Sequence, residues 1–204
     1  MAVTTLYVLP TVLHDLGASA SARASIVLLT AGHAPASSTA RLGEAIGEAA
    51  RDALRGEGVV ASVEHLEVRR FAGAVVRALV DSVQEDVITE AVVAIQRADA
   101  LIVVTPTVNA SFSGLLKSFL DVLPPNALRS VPTVIAATGG TTRHTLMLDQ
   151  AVRPMLGYQR AVVLPSCLFV TADEWDGPRP TAELAERITA AGEELAHFTR
   201  HRLR

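Results

Sequence analysis

The run Ala100–Val104 constrains this chain more than any other feature: five consecutive apolar residues, followed at once by Thr105-Pro106. A strand of that composition has no polar face. It fits a sheet covered by helices on both sides, which is how parallel sheets are built. Proline lacks a backbone donor, so the strand is expected to end at Thr105-Pro106. A loop of small polar residues follows, Thr107 to Ser113, then a helix with Leu115, Leu116, Phe119 and Leu120 on one side. In open α/β sheets ligands sit at the carboxyl ends of strands. The stretch Ala100–Asp121 therefore predicts an α/β protein with a small-molecule site at a strand exit.

The rest of the chain repeats the alternation. Strands are expected at Ser25–Thr30, Val59–Leu66, Val131–Thr138 and Arg160–Val170. Helices are expected at Thr39–Arg55, Glu85–Arg97, Thr142–Leu156 and Thr181–His201, the first capped by Ser37 or Ser38 and the third stopping or kinking at Arg153-Pro154. Arg69–Ser82 reads equally as a short helix or a long crossover. Strands alternating with helices make a doubly wound, five-stranded parallel sheet with helices on both faces. For 204 residues the flavodoxin-like strand order fits best. Residues 26–204 suit one such domain, and residues 1–25 read as an N-terminal arm, partly disordered or packed on a neighbouring subunit. Leu6–Leu13 is apolar and Ala18-Ser19-Ala20 loosely resembles a signal-peptidase site. No Lys or Arg precedes that run, however, and Pro10, His14 and Asp15 interrupt or close it, so a cytoplasmic location is expected.

Composition removes several function classes. A net charge of −3 with no Lys/Arg run argues against nucleic acid. No segment approaches the roughly 20 apolar residues that span a bilayer. The single cysteine, Cys167, excludes an internal disulfide and a cysteine-based metal cluster; its apolar surroundings, Val162–Val170, predict a buried, inert thiol. His33 and His144 have no ligand-type neighbours at metal spacing, so no metal is expected. Ser111 and Ser113 lack a G-x-S-x-G context, which disfavours a hydrolase nucleophile. The chain contains neither GK[ST] nor GxGxxG.

Three strand-exit loops remain. Thr30–Thr39 combines hydroxyls with the free amides of a helix start, a seat for a phosphate, although the same residues could serve only as caps. Thr105–Ser113 is small enough for the backbone to approach a flat ring, or is a plain βα turn with Ser111 or Ser113 as the helix cap. Thr138-Gly139-Gly140-Thr141-Thr142 allows positive φ and close approach, with amides that could face developing negative charge, or is a tight turn. Together they point to a phosphomonoester carrying a ring.

An ordered set of residues carries a family resemblance. It comprises Ala31-Gly32 with Ser37-Ser38-Thr39-Ala40-Arg41-Leu42, Thr105-Pro106 with Ala110-Ser111-Phe112-Ser113-Gly114-Leu115, Thr138-Gly139-Gly140 with Arg143-His144, Leu148-Asp149 with Arg153-Pro154, and Arg160-Ala161-Val162-Val163. With these, the chain resembles the NAD(P)H-dependent FMN reductases of flavodoxin-like fold, particularly those that supply two-component monooxygenases. The resemblance implies hydride transfer from NADH or NADPH to FMN, with no side chain as catalyst. It places the FMN phosphate on Ser37, Ser38 and Thr39, with Thr30. It lays the ribityl chain and ring along Pro106, Thr107, Val108, Asn109 and Ser111, and sets the pyrimidine edge against Thr138, Gly139 and Gly140. It further implies a homodimer or homotetramer and a flavin-dependent monooxygenase as partner. A 2′-phosphate would need a cation, for which Arg41, Arg143 or a residue across the dimer is available. Where the family often carries an aromatic residue, this chain has Thr107-Val108-Asn109. That departure keeps open a relative acting on a specialised metabolite or quinone. A flavin-binding electron carrier without nicotinamide turnover is a separate alternative, although few aromatic residues and a net charge of only −3 argue against an acidic flavodoxin.

Overall fold

The computed structural model of the chain describes residues 22–203, so the arm before Ala22, with its apolar run, lies outside the described residues. The chain runs β1 (Arg23–Thr30), α1 (Ser38–Gly56), β2 (Val60–Glu67), α2 (Ala72–Val80), α3 (Asp86–Arg97) and β3 (Ala100–Val108). It continues as β4 (Ser111–Phe112), α4 (Gly114–Asp121), β5 (Pro132–Thr138), α5 (Arg153–Tyr158) and β6 (Val162–Val170). A small hairpin, β7 (Trp175–Asp176) and β8 (Arg179–Pro180), precedes the last helix, α6 (Ala182–Arg202). The five long strands are parallel in the order β2-β1-β3-β5-β6, the expected flavodoxin-like arrangement. The order reverses between β1 and β3, and their exits open on one cleft.

Each strand's alternation builds the two layers. Ile26 and Leu28 of β1 join Leu42, Ile46 and Leu54 of α1 and Leu184, Ile188 and Leu195 of α6. Val27 and Leu29 face the other way, toward Val75, Ile88, Ile95, Phe119 and Leu156 on the helices from α2 to α5. Burying each such Leu or Ile contributes roughly 1.5–3 kcal/mol. On the first face α1 and α6 touch backbone to backbone: a Cβ on Gly192 would stand 2.5 Å from that of Ala49.

Three expectations need correction, and one open alternative is decided. The strand at Ala100 does not stop at Thr105-Pro106 but runs to Val108. The Val104 carbonyl accepts from the Ala31 amide, so by alternation Pro106 turns its missing donor to the side where β1 has already ended. Thr107 and Val108 then pair antiparallel with Phe112 and Ser111. The expected helix over Thr142–Leu156 is broken into a 3-10 turn (Thr142–His144), a π-helical turn (Leu148–Val152) and α5. Pro154 begins α5 rather than ending a helix, because a helix start leaves its amide unpaired anyway. The ambiguous stretch Arg69–Ser82 resolves into a 3-10 turn, Val68–Phe71, and α2. Finally, Cys167 is half-buried rather than buried, because β6 is an edge strand with an irregularity. Between the pairs Thr133–Val163 and Ile135–Cys167, β5 advances two residues while β6 advances four. The displaced segment is held by Arg153, which donates to the carbonyls of Leu164 at 2.8 Å and Val163 at 3.2 Å. From α6, Glu194 accepts from the Ser166 amide at 3.0 Å.

Candidate functional site

Loop 1 leaves β1 and enters α1. Gly32 is fixed there by contact, since a Cβ would come within 2.5 Å of Ser37 Oγ. The three hydroxyls beyond it have separate duties. Ser37 is the N-cap, accepting from the Ala40 amide at 3.2 Å. Thr39 is buried and shares a 3.0 Å hydrogen bond with the buried Thr138 of β5, tying the start of α1 to the third loop. Ser38 alone is exposed, and its hydroxyl and amide have no protein partner among the described residues. Thr30 stands apart from them: it is 3% exposed beneath α1, and its hydroxyl shares a hydrogen bond with His65 of β2 at 2.9 Å.

Loop 2 is a β-hairpin rather than a simple turn. Asn109 (φ 47°) and Ala110 (φ 66°) occupy the two-residue connection between β3 and β4, the positive-φ pair of a type I′ turn. Thr105 Oγ1 accepts from the Ser113 amide at 2.9 Å, closing the loop back on its own strand. Ser113, not Ser111, caps α4, accepting from the Leu115 amide at 3.2 Å. The Ser113 hydroxyl also meets His33 Nε2 at 3.1 Å, so that histidine links loops 1 and 2. Thr107 Oγ1 is buried with no hydrogen-bond partner among the described residues. Pro106 is half-buried beside it, Ser111 is half-buried on β4, and Val108 and Asn109 are exposed at the rim.

Loop 3 contains the two glycines, and neither has a positive φ. Gly139 is required by contact, because a Cβ would lie 2.6 Å from Phe169 Cζ and 3.1 Å from Thr107 Oγ1. Its amide donates to the Val170 carbonyl at 3.0 Å, so of the expected pair of free donors only Gly140 remains. A Cβ on Gly140 would meet nothing within 4 Å. Arg143 and His144 follow in the 3-10 turn, where Thr141 accepts from the Arg143 amide.

A fourth wall comes from segments after β6. Trp175 stacks under Arg41, the guanidinium carbon 3.9 Å from the ring centroid, and Arg41 Nη1 donates to the Gly177 carbonyl at 2.7 Å. Arg187 of α6 pairs with Glu174 and donates to the Phe169 carbonyl at 2.8 Å, fixing the strand end that carries the ring against Gly139. Glu174 also accepts from the Thr171 amide at 2.8 Å. A recess of about 260 Å³ lies among Ser38, Arg41, Pro106, Thr138, Gly139 and this wall. A larger hollow of about 640 Å³ sits between the far ends of α4 and α5, but no strand-exit loop lines it. Sequence reading found the three loops and missed the fourth wall. The one available signal was Trp175, the sole tryptophan, set in the polar stretch Asp173-Glu174-Trp175-Asp176.

The site suits a phosphorylated ring compound on this chain's own atoms. Unpaired amides and Ser38 at the start of α1 suit a phosphate. The orphaned Thr107 hydroxyl and the open space over Gly140 suit a polar ring edge. Fold and site thus define an α/β protein of flavodoxin-like class with a donor-rich cleft at its strand exits. The chain belongs to the NADPH-dependent FMN reductase family, whose model matches residues 24–176. Over 103 residues it is 40% identical to the FMN reductase (NADPH) of Pseudomonas aeruginosa, covering 50% of this chain and 55% of that protein. Over 104 residues it is 41% identical to the NADH-dependent FMN reductase SfnF of Pseudomonas fluorescens, 50% of this chain and 56% of that protein. The chain therefore spans about half the length of these curated relatives. Its structure superposes on that of an oxidoreductase from Corynebacterium diphtheriae with a TM-score of 0.84 at 36% identity, covering 89% of this chain and 99% of that one.

Proposed function

We propose that the chain is a flavin reductase, taking a hydride from NADH or NADPH onto FMN at the cleft between loops 1, 2 and 3. The observation that carries this reading is the convergence of three donor-bearing strand exits, cross-linked by Thr39–Thr138 and His33–Ser113. FMN, when bound, supplies the hydride-accepting ring. The protein's own work is to hold and orient it. Ser37, Ser38 and Thr39 contribute the helix-start seat for its phosphate, with Thr30 supporting that seat from beneath. Pro106, Thr107, Val108, Asn109 and Ser111 form the wall along its side chain and ring. Thr138, Gly139 and Gly140 border the pyrimidine edge, where the Gly140 amide is the free donor toward developing negative charge. No side-chain acid or base is needed, and none is placed in the cleft by this reading.

The same reading makes the protein a cytoplasmic homodimer or homotetramer that delivers reduced flavin to a monooxygenase. Its support for assembly is an apolar patch on α2 and the connection that follows it, where Val76, Val80 and Val83 are 53%, 75% and 48% exposed. Among the described residues no helix is long and apolar enough to cross a membrane. The test is the visible spectrum of the purified protein with FMN under anaerobic conditions. Bleaching on addition of NADH or NADPH is expected. Bound FMN that stays oxidised would make the protein an electron carrier, and absence of FMN binding would overturn the reading.

A further inference from the structure

Outside the cleft, two histidines share one face of α6. His197 and His201 stand four residues apart in its last two turns, and both are exposed. Their ring centroids are 4.4 Å apart. His201 Nδ1 lies 2.8 Å from the His197 carbonyl oxygen. A carbonyl can only accept, so Nδ1 carries the proton and Nε2 keeps its lone pair. That is how a metal-ligating imidazole is ordinarily prepared: the other ring nitrogen donates to a carbonyl or carboxylate, which fixes tautomer and orientation. His33 and His65 are placed differently, each with Nε2 on a hydroxyl, of Ser113 and Thr30 respectively.

The surroundings accept a cation. The C-terminal turns of a helix favour positive charge through their aligned carbonyls. The neighbouring arginines are already committed, Arg200 to Glu57 at 2.6 Å and Arg202 to the Ser130 carbonyl. Glu57 follows α1 and Ser130 precedes β5, so the pair lies at the end of the sheet opposite the cleft. Imidazole suits zinc, nickel and copper, whereas magnesium and calcium prefer oxygen ligands. Among the described residues no group of three His, Cys, Asp or Glu side chains could hold a metal. Water must then fill the remaining positions, which makes an open, exchangeable site rather than a closed structural one. We propose that His197 and His201 form a two-imidazole site for a divalent cation of the zinc class, which clamps the last turns of α6. The two rings meet only while that segment is helical, so the ion binds the folded chain in preference to the unfolded one. Leu195 and Ala196 of the same turns are buried against the sheet, so holding this end of α6 stabilises the domain.

The untagged full chain is titrated calorimetrically with zinc chloride, with magnesium chloride as the control, and its thermal unfolding is followed in parallel. Saturable binding of zinc but not of magnesium is expected, with an unfolding midpoint that rises with zinc concentration. His197→Gln and His201→Gln keep a polar helix former at each exposed position. Each should weaken zinc binding at least about tenfold, because one imidazole alone loses the second, intramolecular contact. Each should also abolish the rise in midpoint. Cys167→Ser should change neither, which separates the pair from the free thiol. FMN binding should match the wild type in both histidine variants, since neither residue lies at the cleft. With histidine labelled at its ring nitrogens, zinc should shift the Nε2 resonance of His201 and a ring-nitrogen resonance of His197. This readout needs no substitution, so it decides where a variant is itself destabilised. Zinc affinity unchanged in both variants, shifts confined to other histidines, or no saturable binding by the wild type would each show that the pair holds no metal.

Discussion

Gly139 and Gly140 are neighbours constrained by opposite circumstances. A methyl group on Gly139 must displace the Phe169 ring, which is 6% exposed, whereas one on Gly140 enters empty space. Gly139→Ala should therefore destabilise the fold by about 1–3 kcal/mol in denaturant unfolding, the usual cost of overpacking. Gly140→Ala should leave unfolding unchanged within about 0.5 kcal/mol yet weaken FMN binding, measured by flavin fluorescence. Undiminished FMN affinity in Gly140→Ala would show that the third loop does not border the ring. Cys167 offers a third residue-scale check. Burial, and then the nearby Asp149 carboxylate, push its thiol above the ordinary range, against the opposing pull of Arg153 and Arg187. Since the thiolate is the nucleophile, alkylation by iodoacetamide should be slow at neutral pH. Its rate should rise with pH through a midpoint above that of a free cysteine. A midpoint at or below the free-thiol value would mean that β6 opens in solution.

Among the elements, those that buried a clean pattern were legible in the sequence. Ile26 to Leu29, Leu101 to Val104 and Val134 to Ala137 read as strands because both faces of the sheet are covered. Helix α2 resisted reading because Val76, Leu79 and Val80 are exposed while Ala74 and Val75 are buried, so its apolar residues do not mark one face. The β7–β8 hairpin was invisible for a different reason: four paired residues carry no period, and its hold on the domain comes from Arg41, far away in the chain. The extension of β3 past Pro106 depended on where β1 ends, which is a tertiary fact. The three loops of the site were found from composition, but the duties of their hydroxyls were not. Nothing local distinguishes Ser37 as cap, Thr39 as cross-link and Ser38 as free donor. Within the β3–β4 connection, Asn109 suits a positive φ while Ala110 does not. Ala110→Gly should stabilise the protein by roughly 1 kcal/mol, read from the midpoint of urea unfolding at constant m-value. A loss of stability instead would mean that the turn adopts another geometry in solution.

For the molecule as a whole, the two faces of the sheet differ in how completely they are covered. Helices α1 and α6 seal one face with small-residue contacts, while α2 and α3 leave a valine-rich patch on the other. If that patch is the assembly surface, Val80→Asp with Val83→Asp should lower the solution mass measured by light scattering to that of a monomer. The unfolding midpoint of the dissociated chain should then depend less on protein concentration. An unchanged mass would place assembly elsewhere, for instance at the hollow between α4 and α5. The irregular stretch of β6 bears on the molecule's history in the cell. With Pro165 in the displaced segment and Arg153 and Glu194 occupying its carbonyls and an amide, that border of the sheet offers an incoming strand no continuous ladder to copy. In a chain that is half apolar, this edge thus gives no template for the strand stacking that seeds fibrils.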